Sequence, residues 1–226
     1  MTIQETKRTK KLNKQIEVNI KRRTVIVDDK LIYHKGVPIP SWIELSLIDV
    51  CNRKCTFCPK SDATVAPDTY QKMTMSLIDK LVKELKEINY QGSVVLCGYG
   101  EPMLHKDVYE ISRKLSEVSF VEIVTNGDTL TKKKIKELYN ANVNKVLVSL
   151  YDGPEQVDKF KKMSDEAQVP NDFVILRHRW HDENQDFGLK LTNRAGTIDV
   201  GKQYDIKNFS FCYYPSYSVL IDWNGD

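Results

Sequence analysis

The sequence predicts an α/β protein built on a sheet of parallel strands, curled into a barrel or doubly wound. Three observations predict it. Short apolar runs alternate with helix-like segments of ten to fifteen residues, the pattern of repeated βαβ units. The runs are continuously apolar, as strands buried on both faces are. Each run also empties into a segment marked by cysteine, glycine, asparagine or aspartate. With right-handed crossovers, those segments converge at the carboxyl edge of the sheet, where parallel sheets bind ligands.

The elements follow in order. Residues 16–39 (IEVNI, TVIVDD, KLIYHKG) predict one or two small strands with a turn near 28–29, and Gly36, Pro38 and Pro40 then break the chain. Residues 42–48 (WIELSLI) read as the first main strand. After a polar stretch, 75–89 is an amphipathic helix, with Leu77, Leu81, Leu85 and Ile88 at helical spacing and Thr74 or Ser76 as its cap. A strand at 93–97, a helix at 106–117, a strand at 120–125 and a helix at 131–140 follow. A strand at 143–151, a helix at 154–166 and a strand at 173–177 complete the series. That makes about five strands by pattern, with weak candidates for a sixth at 188–191 and 197–200.

The 226 residues, 41% apolar and 29% charged, suit one well-buried globular domain with room for a small appendage. A net charge of +3 is too small to argue for a nucleic-acid partner, and none is expected. No apolar run reaches transmembrane length, so no membrane span is expected. The basic, polar start lacks the apolar stretch of a signal peptide and reads as a solvated terminus; with five cysteines, an odd number, this points to a cytoplasmic protein.

Three of the cysteines, Cys51, Cys55 and Cys58, stand in a C-x3-C-x2-C pattern within residues 49–60 (DVCNRKCTFCPK). A strand that ends in such a loop puts three thiols on one segment at the sheet edge. Thiolates are the ligands of iron–sulfur clusters, and three ligands leave one iron of a four-iron cluster open. A structural zinc site wants four ligands, and His34 and His105 lie outside the loop. Cys97 sits within an apolar strand and is expected to be a buried core residue.

With Phe57 directly before Cys58, the loop resembles the C-x3-C-x-aromatic-C signature of the radical S-adenosylmethionine (radical SAM) enzymes. The order of motifs over residues 41–177 is similar to that family as well. A strand leads to the cysteine loop, a second to Gly98-Tyr99-Gly100-Glu101-Pro102, a third to Thr125-Asn126-Gly127 and a fourth to residues 149–153 (SLYDG). The second of these is similar to the family's Gly-Gly-Glu-Pro turn, with Tyr99 inserted.

The resemblance implies a partial (β/α) barrel with a [4Fe-4S] cluster on Cys51, Cys55 and Cys58 and SAM as cofactor. It implies reductive cleavage of SAM to a 5′-deoxyadenosyl radical that takes a hydrogen from a peptide, protein or small metabolite. A flavodoxin- or ferredoxin-like reductant is the implied partner. For the SAM site it implies Phe57 beside the adenine, and the backbone at Gly98, Gly100 and Glu101 for the methionine amino group. Asn126 and Ser149 would meet the ribose hydroxyls or the carboxylate, and Arg177 a carboxylate. Two other readings stay open: a non-catalytic iron–sulfur or zinc-binding protein on such a barrel, and a plain α/β binding domain without metal.

Residues 211–226 (FCYYPSYSVLIDWNGD) resemble the entry to the SPASM or twitch extension of many radical SAM enzymes. There a cysteine, a proline and a strand lead to a hairpin turn, and further cysteines bind an auxiliary cluster. The expected organisation is therefore a lead-in at 1–40, a radical SAM core at 41–200 and the start of an extension at 201–226. On this reading the sequence is a fragment, and Cys212 serves an auxiliary cluster only in a longer chain.

Overall fold

The computed structural model describes residues 32–179 and 217–226. Two short antiparallel strands, β1 (Ile32–His34) and β2 (Val37–Ile39), open this part. They are joined at Lys35 and Gly36, both with positive φ, as the tight hairpin turn requires. The turn expected near 28–29 lies outside the described residues.

Among the described residues the main sheet has six parallel strands: β3 (Trp42–Leu45), β4 (Ser93–Leu96), β5 (Phe120–Thr125), β6 (Lys145–Leu150), β7 (Val174–His178) and β8 (Ser218–Ile221). Their spatial order is β7-β6-β5-β4-β3-β8. Between them run α1 (Met75–Glu87), α2 (Val108–Leu115), α3 (Lys132–Asn140) and α4 (Glu155–Ala167). Thr74 and Thr131 cap α1 and α3 by accepting from the N–H groups of Leu77 and Lys134. The helix expected to start at 106 starts two residues later. A 3₁₀ turn, Pro102–Leu104, precedes it, and the backbone leaves that turn extended at His105 before the helix begins.

Alternate strand residues divide the sheet into two unlike faces. Ile43, Leu45, Val94, Leu96, Val121, Ile123, Val146, Val148 and Leu150 face the four helices and form one core with Ile78, Ile111, Ile135 and Phe160. Among the described residues the helices pack on a single face, as in barrel-type winding, whereas a doubly wound sheet carries helices on both. The other face is mixed. Trp42 and Val95 are buried there, with Cys97, Phe120, Val124 and Tyr217 against them. Strand alternation puts Glu44, Glu122, Ser149 and Arg177 on that same side.

Two expectations are corrected. Both weak candidate segments for a sixth strand lie outside the described residues, and among the described residues a sixth strand forms further along the chain. It is residues 218–221, expected as the first strand of an extension hairpin; they pair in parallel with β3, from Trp42–Ser218 to Leu45–Ile221. Unpaired β3 edge groups favour a strand there over a lone hairpin arm. Cys97 is half-buried rather than a core residue, because it follows the last paired residue of β4 on the mixed face. Cys212 lies outside the described residues.

Candidate active site

Every strand-end segment does lie at one edge of the sheet. The cysteine loop leaves β3 and returns through a closed base. Met73 N–H donates to Leu47 O at 2.8 Å, Asp49 N–H donates to Gln71 O at 3.2 Å, and Ile48 pairs with Lys72. Inside this excursion, buried Asp49 accepts from Thr69 N–H and Oγ1. Lys60, 2% exposed, is satisfied by Asp68 and by Pro67 O at 2.9 Å. Asp68 also pairs with Lys54, so one carboxylate ties the interior of the cysteine segment to the residues just after it.

Cys51, Cys55 and Cys58 are each half-buried with free thiols. Cys58 N–H donates to Cys55 O, and Ser61 closes a 3₁₀ turn on Cys58 O, both at 2.9 Å. The Arg53 N–H reaches Cys51 Sγ at 3.4 Å, and Asn126 Nδ2 lies 3.9 Å from the same sulfur. Burial, then the neighbouring thiols, push Cys55 up to about 11; burial also raises Cys51. Bare, the Cys51 and Cys55 thiols stay protonated at neutral pH; bound iron would supply the positive charge that holds thiolates. Among the described residues no three His, Cys, Asp or Glu side chains form a single-ion site. Three thiols spread over one loop suit a polynuclear cluster, in which each binds its own iron, better than zinc, which needs four converging ligands. The residues present therefore fit a [4Fe-4S] cluster.

The turn after β4 is pressed against this loop. Gly98 has a φ of 112°, and a Cβ there would meet Ser46 Cβ and Oγ at 2.7 Å. A Cβ on Gly100 would sit 2.0 Å from Ile48 O and 2.7 Å from Val50 O. Glu101 N–H donates to Val50 O at 2.9 Å. The glycines thus admit the protein's own cysteine loop, a reason independent of any ligand. Gly100→Ala is expected to destabilise the protein by about 2 kcal/mol, since backbone oxygens cannot swing away. Denaturant unfolding checks this, and a wild-type midpoint would contradict it.

The Glu101 carboxylate is engaged within the protein. With the residue 3% exposed, it accepts from Thr125 Oγ1 at 2.7 Å, Asn126 N–H at 2.8 Å and Met103 N–H at 3.1 Å. It is a brace between the β4 and β5 ends. Burial pushes its carboxyl upward while the three donors pull it back. Asn126 in turn donates to Asn52 Oδ1 at 2.8 Å and accepts from Asp128 N–H at 3.0 Å. Ser149, 1% exposed, accepts from Arg177 Nη2 at 2.7 Å, so these two candidates are brought together. Phe57 lies 5.6 Å from the Tyr151 ring, tilted by 31°.

Sequence reasoning missed Tyr151, Asn52, Arg53, Asp128 and Asp152. Arg53 carries four hydrogen bonds to the two aspartates, described below. A charged residue between two cysteines of the C-x3-C-x2-C pattern was the available signal. At the far edge, Trp223 of the turn after β8 meets Tyr99 edge-on at 6.3 Å. Asp222 Oδ1 there accepts from the N–H groups of Asn224, Gly225 and Asp226.

The comparisons agree with this geometry. The family described as the Radical SAM superfamily matches residues 45–169, more than half of the chain. The S-adenosyl-L-methionine-dependent 2-deoxy-scyllo-inosamine dehydrogenase of Niallia circulans is 29% identical over 185 residues, 80% of this chain and 69% of that protein. The GTP 3',8-cyclase of Aquifex aeolicus (strain VF5) is 32% identical over 128 residues, 54% of this chain but only 39% of the cyclase. Among solved structures, BtrN in complex with AdoMet and 2-DOIA matches with a TM-score of 0.65 at 26% identity, over 83% of this chain and 71% of BtrN. Streptococcus suis SuiB bound to precursor peptide SuiA, at 16% identity and a TM-score of 0.52 over 74% of this chain and 43% of SuiB, shares the fold alone. The chain belongs to the radical SAM superfamily, a family of enzymes that use a [4Fe-4S] cluster and SAM.

Proposed function

We propose that the six-stranded unit is the cofactor-binding core of a radical SAM enzyme acting on a small polar metabolite. The observation that carries the reading is the three-thiol loop at the carboxyl edge, packed against the glycine turn. In this chemistry the bound cluster supplies one electron that cleaves SAM to methionine and a 5′-deoxyadenosyl radical, which takes a hydrogen atom from the substrate.

Cys51, Cys55 and Cys58 hold the cluster. Phe57, with Tyr151 beside it, offers an aromatic wall for the adenine. The backbone of residues 98–101, with Gly98, Gly100 and Glu101, offers acceptors to the methionine ammonium. Asn126 and Ser149 face the ribose or the carboxylate, and Arg177, already bonded to Ser149, pairs with a carboxylate. The preference for a small metabolite over a peptide rests on the dehydrogenase and BtrN, which this chain covers over more than two thirds of their length. The peptide-bound relative is alike in fold only.

The core runs from residue 41 to β8, after a lead-in at 1–40. In a longer chain Cys212 is a candidate ligand of an auxiliary cluster. A flavodoxin- or ferredoxin-like protein serves as electron donor, in the cytoplasm. No helix among the described residues is long and apolar enough to cross a membrane.

The test is anaerobic reconstitution with iron and sulfide, reduction, and assay for 5′-deoxyadenosine from SAM. The nucleoside is expected from the wild type. A cluster that forms without any SAM cleavage would favour a non-catalytic iron–sulfur protein. Deuterated polyols and cyclitols then test the substrate class, by transfer of deuterium into the nucleoside.

A further inference from the structure

We propose that Arg53 is a positioning residue that clamps the cysteine loop across the ends of β5 and β6, so that the side of the loop facing SAM is set before any cofactor binds. The proposal rests on the reading of this edge as a cluster and SAM site. Arg53 stands between Cys51 and Cys55 and is itself no ligand. Its Nε donates to Asp128 Oδ2 at 2.7 Å, and Nη2 reaches the other oxygen of the same carboxylate. Its Nη1 and Nη2 donate to the two oxygens of Asp152, both at 2.7 Å. Two carboxylates are thus each gripped by a two-pronged fork, a geometry only a planar guanidinium provides.

The partners lie 75 and 99 residues further along the chain, on the turns after β5 and β6. The guanidinium also lies 5.3 Å from the centre of the Tyr151 ring, whose other neighbour is Phe57. Asn52 adds a parallel link, donating to Asp128 Oδ2 at 2.8 Å while it accepts from Asn126 at 2.8 Å. One tripeptide, Cys51-Asn52-Arg53, thereby joins a thiol, two strand-end turns and the aromatic pair.

Stability is a poor account of this arrangement. The Arg53 side chain is 20% exposed, and those of Asp128 and Asp152 are 31% and 53% exposed. Ion pairs so open to water add little to folding. What two forks at one residue do is remove the loop's rotational freedom relative to β5 and β6. Those strands carry Asn126 and Ser149, so the clamp fixes the distance between the thiols and the remaining SAM candidates. Groups one step removed from a metal commonly act this way.

The test compares Arg53→Lys, which keeps the charge but not the forks, with Asp152→Asn, which opens one fork at an exposed position. Both variants are expected to reconstitute with wild-type iron content and thermal midpoint. SAM affinity and 5′-deoxyadenosine formation should fall by roughly 10- to 100-fold, more for Arg53→Lys. The change that SAM causes in the electron paramagnetic resonance signal of the reduced cluster should shrink in parallel. Variants that bind SAM as tightly as the wild type with the same spectral change overturn the proposal. Loss of iron in step with loss of activity overturns it too, because the residue would then hold the loop together rather than aim it. A measurement on the cofactor-free protein separates this proposal from the functional reading. Amide exchange across residues 51–58 should quicken in both variants. Unchanged exchange sinks the clamp whatever the protein's chemistry proves to be.

Discussion

Replacing Cys51, Cys55 and Cys58 together by Ala is expected to take bound iron from about four atoms per chain to none and to abolish SAM cleavage. The three thiols share one loop, and their positions relative to each other come from the local turn through Cys55, Cys58 and Ser61. Ionisation of Cys51 and Cys55 is opposed first by burial and further by neighbouring thiols, so the charge of bound iron would be what makes them ligands. Removal leaves nothing nearby to substitute: among the described residues the only further cysteine is Cys97, half-buried against Trp42 and Val95 on the mixed face. Cys97→Ala should therefore keep a full cluster. Iron and sulfide analysis with the visible absorption band distinguishes the cases. Four irons in the triple variant would refute the assignment.

The second large effect is expected at Glu101, and it is an effect on folding first. Glu101→Ala strips three donors of their acceptor inside the protein: the Thr125 hydroxyl and the N–H groups of Asn126 and Met103. Buried donors left unsatisfied cost about 1–3 kcal/mol each, not fully additively, so a loss of about 3 kcal/mol is expected. In a domain of this size that lowers the thermal midpoint by roughly 5–10 °C. SAM affinity should fall as a consequence, because Asn126, which approaches Cys51, is placed by this carboxylate. A variant with wild-type stability but weak SAM binding would instead put the Glu101 carboxylate directly on SAM.

The pH dependence has a definite sign. Burial raises the folded pKa of Glu101 above the ordinary 4.5. The fold therefore favours the protonated acid, and this contribution is present below 4.5 and lost as pH rises through the folded value. The three donors limit that loss, and Glu101→Gln, which cannot ionise, should flatten this part of the stability–pH curve.

Much of the fold is legible along the chain. The strand expected at 120–125 is β5 residue for residue, and the helix expected at 131–140 is α3 with Thr131 as its cap. Helix periodicity, capping hydroxyls and apolar runs are properties of neighbouring residues, so they survive reading in one dimension. The cysteine spacing is local too, and with the order of the strand-end motifs it led to the family the comparisons bear out. The division into helix-facing and mixed faces was not legible, because continuous apolar runs hide Glu44 and Glu122 as exceptions. Nor was β8, whose short alternating run is as good a hairpin arm as a sheet strand until its partner is known.

The elements, their order and the three-thiol loop follow from the chain alone, since each depends on residues a few places apart. Which strand lies beside β3, where the carboxylate of Glu101 points and what Arg53 grips were settled by folding. Those outcomes are contacts between residues 24 to 99 positions apart, or between the two ends of the described chain. The physical reason is that a side chain's partner is set by what the folded sheet carries to within hydrogen-bonding distance of it. The spacing of its own neighbours does not contain that information.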